Sequence, residues 1–127
     1  MSVPDVFQQA GAKNGWLCEG NSATIHLAGG RTQAVFIDTF VHENEQMVRV
    51  YSVVGSASEL SDTRTQAALS INFNLAHGAL GIHQDKLVMT DTFVLKDADL
   101  GEVESSIRFL AATADKYEKV LYGTDQN

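Results

Sequence analysis

Between Asn21 and Val54 the apolar residues recur at every second position, a period that belongs to extended strands. Ala23, Ile25 and Leu27 alternate with Thr24 and His26, and Gly29-Gly30 then offers a turn with residues that tolerate positive φ. Arg31 to His42 reads as a long second strand and Met47 to Val54 as a third, joined by the polar run His42-Glu43-Asn44-Glu45-Gln46. Both faces of these strands are apolar. Val35, Ile37 and Val41 share one side of the second strand, Phe36 and Phe40 the other; in the third, Val48, Val50 and Val54 oppose Met47, Tyr51 and Val53. One face must cover a core, and the other either meets a partner or stands greasy in water.

Helical spacing flanks this block. Pro4-Asp5 followed by Val6, Phe7 and Ala10 predicts a short first helix, stopped by Gly11 or Gly15. Beyond the break at Gly55-Ser56-Ala57-Ser58, Ser58 or Ser61 can cap a second helix running to about Ala76. It carries Leu60, Arg64, Ala67, Ala68, Ile71 and Leu75 at three-to-four spacing and ends at His77-Gly78. Ala79 to His83 and Lys86 to Leu95 predict a hairpin around Gln84-Asp85. Leu87, Met89, Phe93 and Leu95 share one face of it, interrupted by Asp91. Asp99 and Glu102 form a capping box for a long last helix ending near Gly123, with Leu100, Val103, Ile107, Leu110, Ala114, Tyr117 and Leu121 on one stripe. The order α-βββ-α-ββ-α segregates helices from hairpins, so the expectation is an α+β fold in which helices pack on one antiparallel twisted sheet. One domain is expected over 1–127, with an ordered core of about 4–122.

Composition narrows the function classes. With 44% hydrophobic residues the chain can build a core without metal or disulfide staples, and its single cysteine, Cys18, fits a reducing compartment. A net charge of −7 without a Lys/Arg stripe disfavours nucleic acid. No segment approaches the roughly 20 apolar residues of a membrane span. Met1-Ser2-Val3-Pro4-Asp5 has no signal-peptide character, and the expected location is cytoplasmic.

Chemistry-bearing constellations are sparse. His42, Glu43 and Glu45 are the nearest approach to a metal or acid/base cluster, yet neighbouring strand residues point to opposite faces, and a solvated turn explains them better. His77 fits a helix C-terminus, while His26 and His83 fit solvent-facing strand positions. Cys18 has Glu19 beside it and no cation to lower its pKa, which suits an idle thiol. Gly29-Gly30-Arg31-Thr32 lacks the following helix of a phosphate loop. Asp91 is either a buried carboxylate or an edge or interface residue, and Asn72 and Asn74 suit hydrogen bonds to the backbone of the following turn. No cofactor is expected. An enzyme would require several of His42, Glu43, His77 and Asp91 to meet in one pocket.

The segment Ala68-Leu69-Ser70-Ile71-Asn72-Phe73-Asn74-Leu75, then Gly78-Ala79-Leu80-Gly81-Ile82 and Leu87-Val88-Met89 before a long closing helix, resembles the type III secretion chaperone (Tir chaperone) superfamily and the related YbjN-like proteins. As element order the resemblance covers about residues 1–122, as wording about 67–121. It implies a cytoplasmic, acidic, cofactor-free homodimer that holds a partly unfolded segment of a client against its sheet and first helix. A YbjN-like adaptor docking on a folded partner is the alternative. Phe7, Phe36, Phe40, Val48 and Val50 are the candidates for partner contacts, drawn from both strand faces because the sequence does not say which is inward. The small-residue stripe Ala67, Ala68 and Ile71, or part of the last helix's ladder, is the candidate dimer seam.

Overall fold

Two-residue turns set the hairpins. Glu43 (φ 51°) and Asn44 (φ 66°) join one pair of strands, Gln84 (φ 48°) and Asp85 (φ 63°) another; both turns lie in the left-handed region whose twist matches antiparallel strands. The computed structural model describes residues 3–122. Its order is α1 (Asp5–Asn14), β1 (Leu17–Glu19), β2 (Ser22–His26), β3 (Thr32–His42), β4 (Glu45–Ser56), α2 (Asp62–Asn72), β5 (Ala79–His83), β6 (Lys86–Val94) and α3 (Leu100–Tyr122). The six strands form one antiparallel sheet in the order β1-β2-β3-β4-β6-β5. The fold is the expected α+β arrangement with one additional strand, β1.

Helix α3, roughly 35 Å long at 1.5 Å per residue, lies across β3, β4 and β6. Its ladder Val103, Ile107, Leu110, Ala111 and Ala114 is buried together with Val35, Ile37, Val48, Val50 and Met89. Asp99 caps it, accepting the Glu102 N–H at 2.8 Å. Gly123, its expected end, lies outside the described residues. Helix α1 packs on α3 and stops at Gly15 (φ 70°), not at Gly11. Gly11 serves contact instead: a Cβ there would stand 2.5 Å from the Cys18 sulfur, so a larger residue would have to displace that side chain for α1 to lie this close to β1.

Helix α2 begins as expected, with Ser61 Oγ accepting the Arg64 N–H at 3.1 Å, but ends at Asn72 and not near Ala76. The cause is Asn72 itself. Its side-chain amide donates to the Leu80 carbonyl at 3.1 Å and accepts the Leu80 N–H at 2.6 Å, as a neighbouring strand would. His77 does not cap the helix; it rests edge-on against Phe109, with ring centroids 5.5 Å apart.

Candidate functional site

Where α1 meets the β1 side of the sheet, the chain leaves an apolar pocket of about 380 Å³. Phe7 of α1, Ala23 of β2, Ile37 of β3 and Ile107 of α3 line it, with Val3 and Trp16 beside them and Gln8, Asn21 and Ser22 supplying polar groups. A volume in the few-hundred-Å³ range with mostly apolar walls and few polar groups is what a buried anchor side chain or small ligand requires. The pocket lies beside edge strand β1, whose three residues are all exposed, Leu17 by 66%. Cys18 lines the pocket as well and is a free, exposed thiol.

The wall formed by α1 is fixed by a buried acid that the sequence reading missed. Glu104 on α3 is 5% exposed and accepts from Lys13 Nζ at 2.9 Å and Asn14 Nδ2 at 2.8 Å, both at the C-terminal end of α1. Hydrogen bonds from Asn14 and Lys13, outweighing burial, hold its carboxyl below the ordinary carboxylate range. Arg108 joins Asn14 and Glu104, and its guanidinium stands 5.8 Å from the Trp16 ring centroid. A second buried acid, Asp115, accepts a two-pronged bond from Arg31 at 2.8 and 3.2 Å, which secures the β2–β3 connection. The Arg31 bonds depress its pKa. The readable trace of Glu104 was its spacing: it stands three residues before Ile107 and seven before Ala111, inside the buried stripe.

The expected partner-contact residues separate into three places. Phe7 is in the pocket wall. Phe36 and Phe40 lie on the opposite, outer face, which no helix covers among the described residues: Phe36 stacks on Tyr51 at 5.3 Å and the Arg49 guanidinium sits 4.3 Å over the Phe40 ring. Val48 and Val50 are 0% exposed in the core beneath α3 and offer a partner no surface, which corrects their place in the set. Of the expected dimer seam, Ala68 is buried, Ile71 is half-buried against the core, and only Ala67 is exposed. The inward side of α2 thus carries Ala68 and Ile71, and the helix packs toward β5; Asp62, Gln66, Leu69 and Phe73 face solvent.

Asp91 lies on the inner face, accepting from Ser106 Oγ at 3.0 Å, and β6 is interior to the sheet, so the edge reading of this residue is replaced. His77 and Asp91 border one hollow with Asp99, Glu102 and Ser106, whereas His42 and Glu43 belong to the exposed β3–β4 turn. Among the described residues no group of three or more His, Cys, Asp or Glu side chains is placed to hold a metal ion, and no helix is long and apolar enough to cross a membrane.

No family model matches the chain, and no curated protein matches it. Solved structures do. A chain of the ExsC–ExsE complex superposes with a TM-score of 0.66, covering 92% of this chain and 91% of that one at 11% identity. A chain of the HopA1–SchA chaperone–effector complex gives 0.59, covering 91% of each at 5% identity. Such identities speak for architecture alone: the chain shares the fold of these two solved chains.

Proposed function

We propose that this chain is a non-enzymatic, cytoplasmic protein-binding module of the secretion-chaperone kind, which holds an extended segment of a client polypeptide between α1 and the β1 side of its sheet and works as a homodimer. One observation carries the reading: an apolar pocket opens beside an exposed edge strand. Main-chain hydrogen bonds to β1 would give a bound segment affinity, and an apolar side chain in the Phe7–Trp16–Ala23 pocket would give it register. One of the neighbours in fold is a chain of a chaperone–effector complex, which agrees with a polypeptide client.

The test is quantitative capture from the source cells with tagged wild type, Trp16→Asp and Phe36→Asp side by side, read by isotope-labelled mass spectrometry. The proposal expects one protein enriched by wild type and Phe36→Asp and lost with Trp16→Asp. A protein lost with Phe36→Asp and kept with Trp16→Asp would favour the YbjN-like adaptor, because the outer face around Phe36, Phe40 and Arg49 is where a folded partner would rest. Enrichment of nothing reproducible would count against both.

A further inference from the structure

The two buried carboxylates of α3 are built alike. Glu104 and Asp115 stand about three turns apart on one side of the helix, and each holds two cations whose heads reach solvent. Glu104 is bridged by Lys13 at 2.9 Å and Arg108 at 3.4 Å, Asp115 by Arg31 at 2.8 Å and Lys119 at 3.7 Å; the four basic side chains are between 48% and 60% exposed. Lys116, exposed beside the Tyr117 ring, joins them. Five of the nine Lys and Arg side chains thus gather along α3 in a chain of net charge −7. Between Ser105 and Lys119, Glu118 is the one exposed acid. The residues in order show no such stripe, because Lys13 arrives from α1 and Arg31 from the β2–β3 connection. The fold assembles it.

The band begins at the apolar pocket. Trp16 and Ile107 line that pocket, and Arg108, next after Ile107, stands 5.8 Å from the Trp16 ring centroid. From Arg108 to Lys119 the band runs roughly 17 Å along the helix, the length of about five residues of extended chain. We infer that the bound client segment carries an acidic stretch flanking its apolar anchor, and that this stretch lies along α3 on Arg108, Lys116 and Lys119, with Lys13 and Arg31 beside it. This deepens the function proposed above and rests on it. The donors are preset: guanidinium and ammonium groups carry more N–H bonds than the buried carboxylates engage. Because Glu104 and Asp115 already hold four of the heads in place, carboxylates arriving from solvent order few side chains. A polypeptide suits the band better than nucleic acid. Cations set over buried acids offer a small local excess of positive charge, which matches a few carboxylates, whereas a phosphate backbone would extend beyond the band over an otherwise acidic chain.

The probe is a phage-displayed library of random segments, long enough to span pocket and band, selected on the wild-type chain; the selected peptides are then measured by fluorescence anisotropy at low and high salt. Three proteins are compared: wild type, Trp16→Asp, and the double variant Ala112→Glu with Lys116→Glu, each checked for an unchanged circular-dichroism spectrum. Ala112 and Lys116 are exposed and lie outside the ion pairs of Glu104 and Asp115, so the double variant reverses the band's charge and leaves the brace intact. Selected peptides are expected to carry Asp or Glu beside an aliphatic or aromatic residue, to bind more weakly as salt rises, and to lose about 10-fold or more in affinity to the double variant. Trp16→Asp should abolish their binding. Peptides that need Trp16 but show no acidic enrichment, and that bind the double variant as they bind wild type, would overturn the acidic stretch while leaving the client pocket standing. Selection of no peptide dependent on Trp16 would remove the pocket reading and the band's role together. Oligo-dT bound by wild type more tightly than any selected peptide, and released by the double variant, would overturn the assignment to polypeptide in favour of phosphate backbones.

Discussion

The sheet ends in two edge strands that the chain finishes in opposite ways. At β5 the edge is closed: Asn72 meets the Leu80 backbone with both ends of its amide, and α2 packs alongside. At β1 the edge is three exposed residues beside an apolar pocket, and α1, which packs close to β1, is anchored by bonds from Lys13 and Asn14 to Glu104 on α3. An unpaired edge invites pairing with any extended chain, and proteins ordinarily blunt such edges. Blunting one and leaving the other beside a pocket makes the molecule directional. On the function proposed above, the β1 side is the end that would receive polypeptide.

The largest effect expected is on capture. Trp16→Asp places a charge at the pocket and should weaken client binding by about 100-fold or more, near 2.7 kcal/mol, while leaving the sedimentation of the free protein unchanged. Loss of capture by Phe36→Asp instead would move the binding surface from the pocket to the outer face. Next in size is the closed edge. Asn72→Ala leaves the Leu80 N–H and C=O without their partner and should cost about 1–2 kcal/mol in urea unfolding, with faster amide exchange confined to β5. Unchanged stability would mean that solvent serves this edge as well as Asn72 does.

Much of this arrangement was legible in the residues and part of it was not. The capping box at Asp99, the ladder from Val103 to Leu121 and the three long strands follow from period and caps, because those signals are local. Strand β1 has no such signal: Leu17, Cys18 and Glu19 are all exposed, so nothing alternates, and only pairing with β2 makes them a strand. The choice of inner face was hidden for a different reason. Phe36 and Tyr51 stack across strands on the open side and look as apolar in sequence as Val48 and Val50, which α3 covers. The end of α2 depended on where the Asn72 amide would find a backbone eight residues later, a tertiary fact. Phe7 alone among the expected partner contacts falls in the pocket, because α1 had to be docked before its inward side was defined.

A smaller effect tests the brace behind the open edge. Glu104 has its folded pKa below the unfolded value of about 4.3, so its contribution is present above that pH and is lost as pH falls through the folded value. Acid titration of wild type should therefore show a stability decline below about pH 4.3 that is shallower in Glu104→Gln, and equal slopes would deny Glu104 this role. Smallest of all is Cys18→Ser, expected to change stability by no more than about 0.5 kcal/mol, since the thiol donates to the Trp16 carbonyl and a serine hydroxyl can donate there as well.

The most direct test of the open edge is hydrogen–deuterium exchange on the chain alone and on the complex it captures from the source cells. A segment held at β1 should slow exchange at Leu17–Glu19 and in α1 while leaving Ala79–His83 unchanged. Protection of β5 with β1 exchanging as fast as in the free chain would contradict the account.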